Sequence, residues 1–398
     1  MTKICGVVCE YDPFHSGHKH HLLEARRQSG ADAVVCIMSG PITQRGQFAR
    51  YDKYIRAASA LKNGADLVLE LPVRYSCGAA DEFASGAMAI LANLSGFTHL
   101  SFGCEPALIP HLPKIADIYR REPAELTQKI QTALATGLSY PAAHAAATAD
   151  YLGDPELKSS LLSPNAILAL QYLKALPEGI HPVPIERIGA FHSDSSETAP
   201  FVSAETLRHC AITGSLSGLS DYLPDAVPYL LAEAGHNVHE PNGLSEALLY
   251  RLRTMTPDDL RDIHGIREGL EYRFLKAAET ATDRDSLIAM VKTRRYTHAR
   301  LSRICTAILL GLTKEMAAMA VPAYARVLGI RSPSLYLLSD MKKSDGIPLV
   351  TRFSQLPADS PQFRLDHATQ SLWSLGCTNP DQRTSGLDLR TPMLKIDE

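Results

Sequence analysis

The stretch KICGVVCEYDPFHSGHKHHLLEARRQSG, residues 3–30, decides the fold. Its opening, KICGVVCEY (3–11), is apolar and β-branched with little polar alternation, the pattern of a strand buried on both faces. HKHHLLEARRQSG (18–30) reads as a helix that stops at Gly30. In an open parallel sheet, ligands bind outside the carboxyl ends of the strands, and His15, Ser16, Gly17 and His18 fall there, where the helix begins. Glycine between two histidines lets the backbone approach a phosphate, and a helix N-terminus offers free N–H groups and positive potential. The imidazoles of His15 and His18 can donate to phosphate oxygens on which charge builds as pyrophosphate leaves. Positioning and electrostatics then carry the catalysis, with no covalent enzyme intermediate. An HxGH so placed predicts an ATP site that transfers AMP to an acceptor.

The same unit repeats outward from this stretch. ADAVVCIM (31–38) and ADLVLELP (65–72) read as further buried strands, and RYDKYIRAASALKNG (50–64) and the region 78–94 as helices, before the strand THLSFGCE (98–105). Near-continuous apolar strands separated by helices of about a dozen residues predict an α/β fold, a Rossmann-like doubly wound parallel sheet. Residues 106–176 turn helical and Ala-rich. One more strand, HPVPIERIGA (181–190), and a helix, SAETLRHCAI (203–212), are expected to close the domain. GSLSGLSDYLPDAVP (214–228) has a boundary composition, which divides the chain into a catalytic domain (1–215) and a mainly helical second domain (216–398). The tail after Cys377 is polar and is expected to be poorly ordered.

Composition narrows the function. A chain of 398 residues with net charge -3 announces no polyanion binder, so any nucleic-acid contact needs a local basic surface. The start enters a strand at once, with no secretory leader and no apolar run long enough for a membrane helix. The eight cysteines are scattered, and Cys5, Cys9 and Cys36 sit inside apolar runs as small hydrophobes. A reduced, cytoplasmic protein with no membrane association is expected. His18 and His21 form a helical i,i+3 pair but lack a third ligand of suitable spacing, so no metal site is expected.

A second loop, MSGPITQRGQFARYDKY (38–54), leaves the sheet at the same end, and its Gln44 and Arg45 suit a clamp on a phosphate or carboxylate. Gly103 ends the strand LSFG, where a side chain would obstruct a nucleotide.

These motifs together resemble the bacterial tRNA(Met) cytidine acetate ligase family within the HxGH nucleotidyltransferases. The likeness runs through CGVVCEYDPFHSGHKHHL, MSGPITQRG, YDKYIRAASALKNGADLVLELP, LSFGCE, SPNAILALQYLKAL, VPIERIG, SAETLRHCA and TRRYTHARLSRICTAILLGL, from residue 5 to about residue 375. The resemblance implies a ligase that activates acetate with ATP as acetyl-adenylate. The acetyl group would then pass to the wobble cytidine of elongator tRNA(Met), giving N4-acetylcytidine. It implies an ATP site made of Val8, Cys9, Glu10, Tyr11, Asp12, Pro13, Phe14, His15, Ser16, Gly17, His18, Lys19, His20 and His21 with Gly103, Asn165 and Arg187. Asn165 suits an adenine edge or ribose and Arg187 a phosphate. Asp12, Ser16, His20 and Pro41 depart from the residues usual in the family; Asp12 adds a negative charge, read as help in holding magnesium through water. ATP is expected as substrate, with magnesium accompanying the triphosphate and no dedicated protein site for it.

The tRNA is expected on the basic segment 291–330, through Arg294, Arg295, Arg300 and Arg303, with Tyr296 and His298 stacking on an unpaired base. Two alternatives remain from the residues themselves: a small-molecule adenylyltransferase of the same superfamily, and a non-catalytic nucleotide- or RNA-binding protein.

Overall fold

The computed structural model describes residues 2–188, 203–213, 222–224, 226–233, 238–267, 269–341 and 346–397. β1 (Ile4–Cys9) leads into α1 (Ser16–Ser29), which Gly30 ends at φ 59° with its N–H donating to the Arg26 carbonyl. That left-handed conformation is why glycine stops the helix. β2 (Ala33–Ser39), α2 (Lys53–Lys62), β3 (Leu67–Leu71), the short α3 (Val73–Ser76), α4 (Ala80–Ala92) and β4 (Phe97–Cys104) follow as the hydrophobic pattern requires. The Ala-rich stretch forms α5 (Leu112–Arg121), α6 (Ala124–Ala135), α7 (Tyr140–Leu152), α8 (Leu157–Leu161) and α9 (Pro164–Ala175), before β5 (His181–Glu186) and α10 (Ala204–Thr213). Positions 189 and 190 of the expected strand, and 214–221 and 225 of the expected boundary, lie outside the described residues.

β1 pairs in parallel with β2 and β4, β2 with β3, and β4 with β5. Successive side chains of β2 serve opposite faces. Ala33, Val35 and Ile37 pack with α4 and α9, while Val34, Cys36 and Met38 pack with α1 and α2. Cys5, Cys9 and Cys36 are buried free thiols in the second of these cores.

The second half begins as helices: α11 (Ala226–Glu233), α12 (Ser245–Thr254), α13 (Pro257–Asp262), α14 (Leu270–Ala278), α15 (Arg284–Val291), α16 (His298–Leu310) and α17 (Lys314–Ala317). Leu248, Leu252, Phe274, Leu287, Ile304 and Ile308 form their own core. The chain then returns to the sheet through β6 (Ala325–Arg331), α18 (Tyr336–Met341), β7 (Leu349–Val350), α19 (Pro361–Leu375), α20 (Leu387–Arg390) and β8 (Leu394–Ile396). β6 runs antiparallel to β3, and β7 and β8 both pair in parallel with β6. Among the described residues the sheet order is β5-β4-β1-β2-β3-β6-β7, with β8 also on β6.

Two expectations change. The division into 1–215 and a helical 216–398 does not separate the sheet from the rest, because β6, β7 and β8 extend it at the β3 edge. The tail after Cys377 is not loose. It contributes β8, and Asp388 is 1% exposed among Lys53, Tyr54 and Arg326. A sparsely apolar segment is held here by buried charge pairing, which hydropathy does not report. Among the described residues no helix is long and apolar enough to cross a membrane.

Candidate active site

The loop from β1 to α1 is built around buried polar contacts. Tyr11 takes φ 54°, with its hydroxyl 3.8 Å from Cys36 Sγ. Asp12 is 4% exposed; its Oδ2 accepts from the Arg50 N–H (2.9 Å) and its Oδ1 from the Tyr51 N–H (3.0 Å). Both carboxylate oxygens therefore clamp the loop that follows β2. Arg56 completes the join. Fully buried on α2, it donates to the carbonyls of Glu10 (2.7 Å), Ser39 (3.0 Å) and Tyr51 (3.0 Å), and so ties the ends of β1 and β2 together. Sequence reading missed this residue, although a cation on the apolar face of an otherwise apolar helix is a signal of buried pairing.

His15 and His18 form a reciprocal cap on α1. His15 Nδ1 accepts from the Gly17 N–H (3.1 Å), and His18 Nδ1 accepts from the His15 N–H (3.3 Å). The two rings stack with centroids 3.6 Å apart and planes 25° apart. Burial, then the guanidiniums of Arg187 and Arg208, lowers His15 to about 3; burial and the neighbouring His15 hold His18 well below its ordinary value. Both imidazoles are thus neutral near pH 7. With Nδ1 committed as an acceptor, the proton of each sits on Nε2, which is left as a donor. His21 is lowered to about 4 by burial, and its Nε2 lies 3.0 Å from Ser101 Oγ.

Asn165 and Arg187, 22 positions apart in the chain, meet across the ends of α9 and β5. With its amide oxygen toward Arg187, Asn165 accepts from Arg187 Nε at 3.1 Å. Arg187 Nη1 lies 3.6 Å from Oε1 of Glu105, a carboxylate 3% exposed. A Cβ built on Gly103 would meet only the Arg187 side chain within 4 Å, at 3.6 Å, so the glycine leaves the cavity wall open rather than relieving a clash. Arg208 of α10 donates to the Asp12 carbonyl and lines the same wall as His15. It lay inside the motif SAETLRHCA without a role, because its neighbours are almost two hundred positions away.

The loop after β2 is clamped from the helical side. Gln44 N–H donates to Glu10 Oε1 (2.6 Å), and the Gln44 carbonyl accepts from Arg303 Nη1 (3.1 Å). Gly46 sits at φ 70°, where a Cβ would come within 2.5 Å of the Arg303 backbone, and its carbonyl accepts from Ser302 Oγ (3.0 Å), Thr306 Oγ1 (2.7 Å) and Arg284. Arg45 pairs with Glu205 at 3.3 Å, with both side chains exposed.

These walls enclose one cavity of about 1770 Å³. It is lined by Val8, Cys9, Glu10, Tyr11, Asp12, His15, Gly17, His18, His20, His21, Gly103, Asn165 and Arg187, as well as Gln44 and Arg45. Pro13, Phe14, Ser16 and Lys19 do not line it; Phe14 is 1% exposed beneath the loop, against Tyr11 and His18. The basic segment reaches the same cavity through Arg295, Arg300 and Arg303, whereas Arg294 faces solvent. Tyr296 is not available for stacking on a base. It is 6% exposed in the helical core, with the Arg300 guanidinium 4.9 Å from its ring centroid. Among the described residues no three His, Cys, Asp or Glu side chains are grouped to hold a metal ion.

Known proteins match this arrangement over the whole chain. The family model described as HIGH Nucleotidyl Transferase covers residues 2–387. The tRNA(Met) cytidine acetate ligase of Acetivibrio thermocellus is 35% identical, with 96% of this chain and 97% of that protein aligned. That of Thermoanaerobacter sp. (strain X514) is 32% identical, with 99% and 100% aligned. Among solved structures, Thermotoga maritima TmcAL bound with alpha-thio ATP superposes with a TM-score of 0.89 at 28% identity, covering 100% of both chains. Its apo form superposes with a TM-score of 0.90 at 30% identity, also covering 100% of both. With the HxGH histidines at the head of α1 and the match unbroken across sheet and helices, this chain is a ligase and belongs to the tRNA(Met) cytidine acetate ligase family of HIGH nucleotidyltransferases.

Proposed function

We propose that the protein activates acetate with ATP and acetylates the wobble cytidine of elongator tRNA(Met), forming N4-acetylcytidine. One observation carries the reading: two neutral, stacked imidazoles with Nδ1 held by the backbone stand at the N-terminus of α1, in a cavity that Arg295, Arg300 and Arg303 also border. The names of the relatives and the ATP analogue in the neighbour's title support the same chemistry.

In the first step an acetate oxygen attacks the α-phosphorus and the bond to the bridging oxygen of pyrophosphate breaks. His15 and His18 donate from Nε2 to the phosphate oxygens as negative charge builds, and Arg187, steadied by Asn165 and Glu105, neutralises part of it. Gln44 and Arg45 hold the acetate. The Arg45–Glu205 pair is exposed and therefore weak enough to exchange for the substrate carboxylate. In the second step the cytidine N4 attacks the acetyl carbonyl carbon, AMP departs with the electrons of the C–O bond, and the amine releases a proton to solvent. Magnesium would accompany the triphosphate and would supply charge neutralisation there.

The test is to incubate the protein with ATP, acetate and bulk bacterial tRNA and to analyse the tRNA by nucleoside mass spectrometry. N4-acetylcytidine should form only when all three are present, together with AMP and pyrophosphate. Pyrophosphate release without any modified nucleoside would instead mark a small-molecule adenylyltransferase, and neither product a non-catalytic binder.

A further inference from the structure

The loop after β2 carries an aromatic ring that the chemistry above does not use. Phe48 is half-buried in the cavity wall. One face of its ring is covered by His239, with centroids 4.7 Å apart and planes only 12° apart. His239 is 3% exposed and packs in turn against Trp373 of α19, at 6.4 Å between centroids. Two hydrogen bonds fix this ladder to the two residues that follow Phe48: Trp373 Nε1 donates to the Ala49 carbonyl (2.6 Å), and the His239 N–H to the Arg50 carbonyl (2.9 Å). Burial lowers His239 to about 3, so the middle ring is neutral and behaves as an apolar spacer. Three segments far apart in sequence thus hold one ring rigidly at the edge of the cavity.

The position of the ring decides what it would meet. Arg50, two residues on, gives its N–H to Asp12, so Phe48 stands within about 7 Å of chain from the HxGH loop. It stands on the β2 side of β1, whereas Gly103, Asn165 and Arg187 stand on the β4–β5 side. ATP bound between the head of α1 and Asn165–Arg187, as the function proposed above requires, would lie on the β4–β5 side and extend away from Phe48. Arg295 and Arg300 border the same cavity as Phe48 and bring phosphate-binding charge to it. A rigid π-face beside cations, on the side opposite the nucleotide, is the arrangement with which proteins hold an unpaired RNA base.

We propose that Phe48, backed by His239 and Trp373, is the platform on which the acceptor nucleobase stacks for acetyl transfer. This rests on the function proposed above. It replaces Tyr296, whose ring is buried, as the stacking residue.

The experiment compares Phe48→Leu, which keeps apolar packing but has no π-face, with Phe48→Tyr, which keeps the ring. Each is measured for acetate-dependent ATP–pyrophosphate exchange, for tRNA acetylation and for melting temperature. Phe48→Leu should lose roughly 5- to 150-fold in kcat/KM for tRNA, the range expected for one base–aromatic stack. Its exchange rate and KM for ATP should stay near wild type, and Phe48→Tyr should retain tRNA acetylation. Unchanged tRNA acetylation in Phe48→Leu overturns the inference while leaving the proposed function standing. A raised KM for ATP in exchange overturns it in favour of adenine stacking. Loss of both half-reactions with a lowered melting temperature makes Phe48 a packing residue, which also overturns it. A wild-type protein that forms no acetylcytidine fails the underlying function and removes the acceptor with it.

Discussion

Lys53 and Asp388 are 335 positions apart in the chain and 2.9 Å apart in the fold, and neither side chain meets solvent. Lys53 Nζ also reaches Glu70 Oε1 at 2.8 Å, and Arg326 Nη1 reaches Asp388 Oδ1 at 2.8 Å. Burial alone would push the Asp388 carboxyl up, but the Lys53 ammonium and the Arg326 guanidinium outweigh it and hold it below its ordinary value. The end of the chain is thereby fastened under α2, two residues from the clamp that Asp12 makes with Arg50 and Tyr51.

Asp388→Ala should therefore destabilise the whole protein. Removing one partner of a buried ion pair leaves the other charges uncompensated, at a cost of about 3–5 kcal/mol. Urea unfolding would show the midpoint falling with little change in slope, and Asp388→Asn should recover part of the loss. An unchanged midpoint would mean the tail is not fastened as described.

His18→Ala should abolish most acetyl-adenylate formation without unfolding the chain. Losing one preorganised donor to a developing charge costs about 10²–10³ in rate, while the lost cap bond to the His15 N–H costs only about 1 kcal/mol. Acetate-dependent ATP–pyrophosphate exchange is the readout. A near-wild-type rate would remove His18 from the reaction.

Acid should weaken the fold through its buried histidines. His15 and His239 are lowered to about 3 and His21 to about 4, against 6.5 for an ordinary imidazole. Between those values the unfolded chain binds protons that the folded chain refuses, so folding stability rises with pH across this window. Stability should be fully present above pH 6.5 and be lost progressively as pH falls toward 3. Melting temperature measured from pH 7.5 to 4.5 should decline below 6.5, and a flat profile would contradict the burial of these rings.

Arg187→Ala should weaken ATP binding and spare tRNA binding. A hydrogen bond from a charged group contributes about 1.5–3 kcal/mol, which corresponds to roughly 10- to 150-fold in affinity. Calorimetric titration with ATP and filter binding with tRNA separate the two effects. Equal loss of both would place Arg187 in the fold rather than at the nucleotide.

Arg294 and Arg295 are exposed, and changing both to Ala should lower tRNA affinity and flatten its salt dependence by about 0.7 per lost contact. Acetyl-adenylate formation should continue. Arg303→Ala should behave differently and slow both half-reactions, because its Nη1 supports the Gln44 carbonyl. If Arg303→Ala affected only tRNA, the loop would not depend on that contact.

The amino-acid sequence by itself determined the alternating strands and helices of the first hundred residues and the HxGH turn at the head of α1. These follow from local regularities: hydrophobic period, a helix-stopping Gly30, and glycine between two histidines where a strand meets a helix. Its motifs also contain Asn165, Arg187, Gln44 and Arg45, which the fold brings to the lining of one cavity. Only the tertiary structure decided that β6 and β8 return to the sheet, that Asp388 closes the chain on Lys53, that Tyr296 is buried, and that Phe48 rests on His239 and Trp373. The physical reason is common to all four. Each depends on partners tens to hundreds of positions away, whose burial and charge decide whether a tyrosine, an aspartate or a short apolar run faces water or the core.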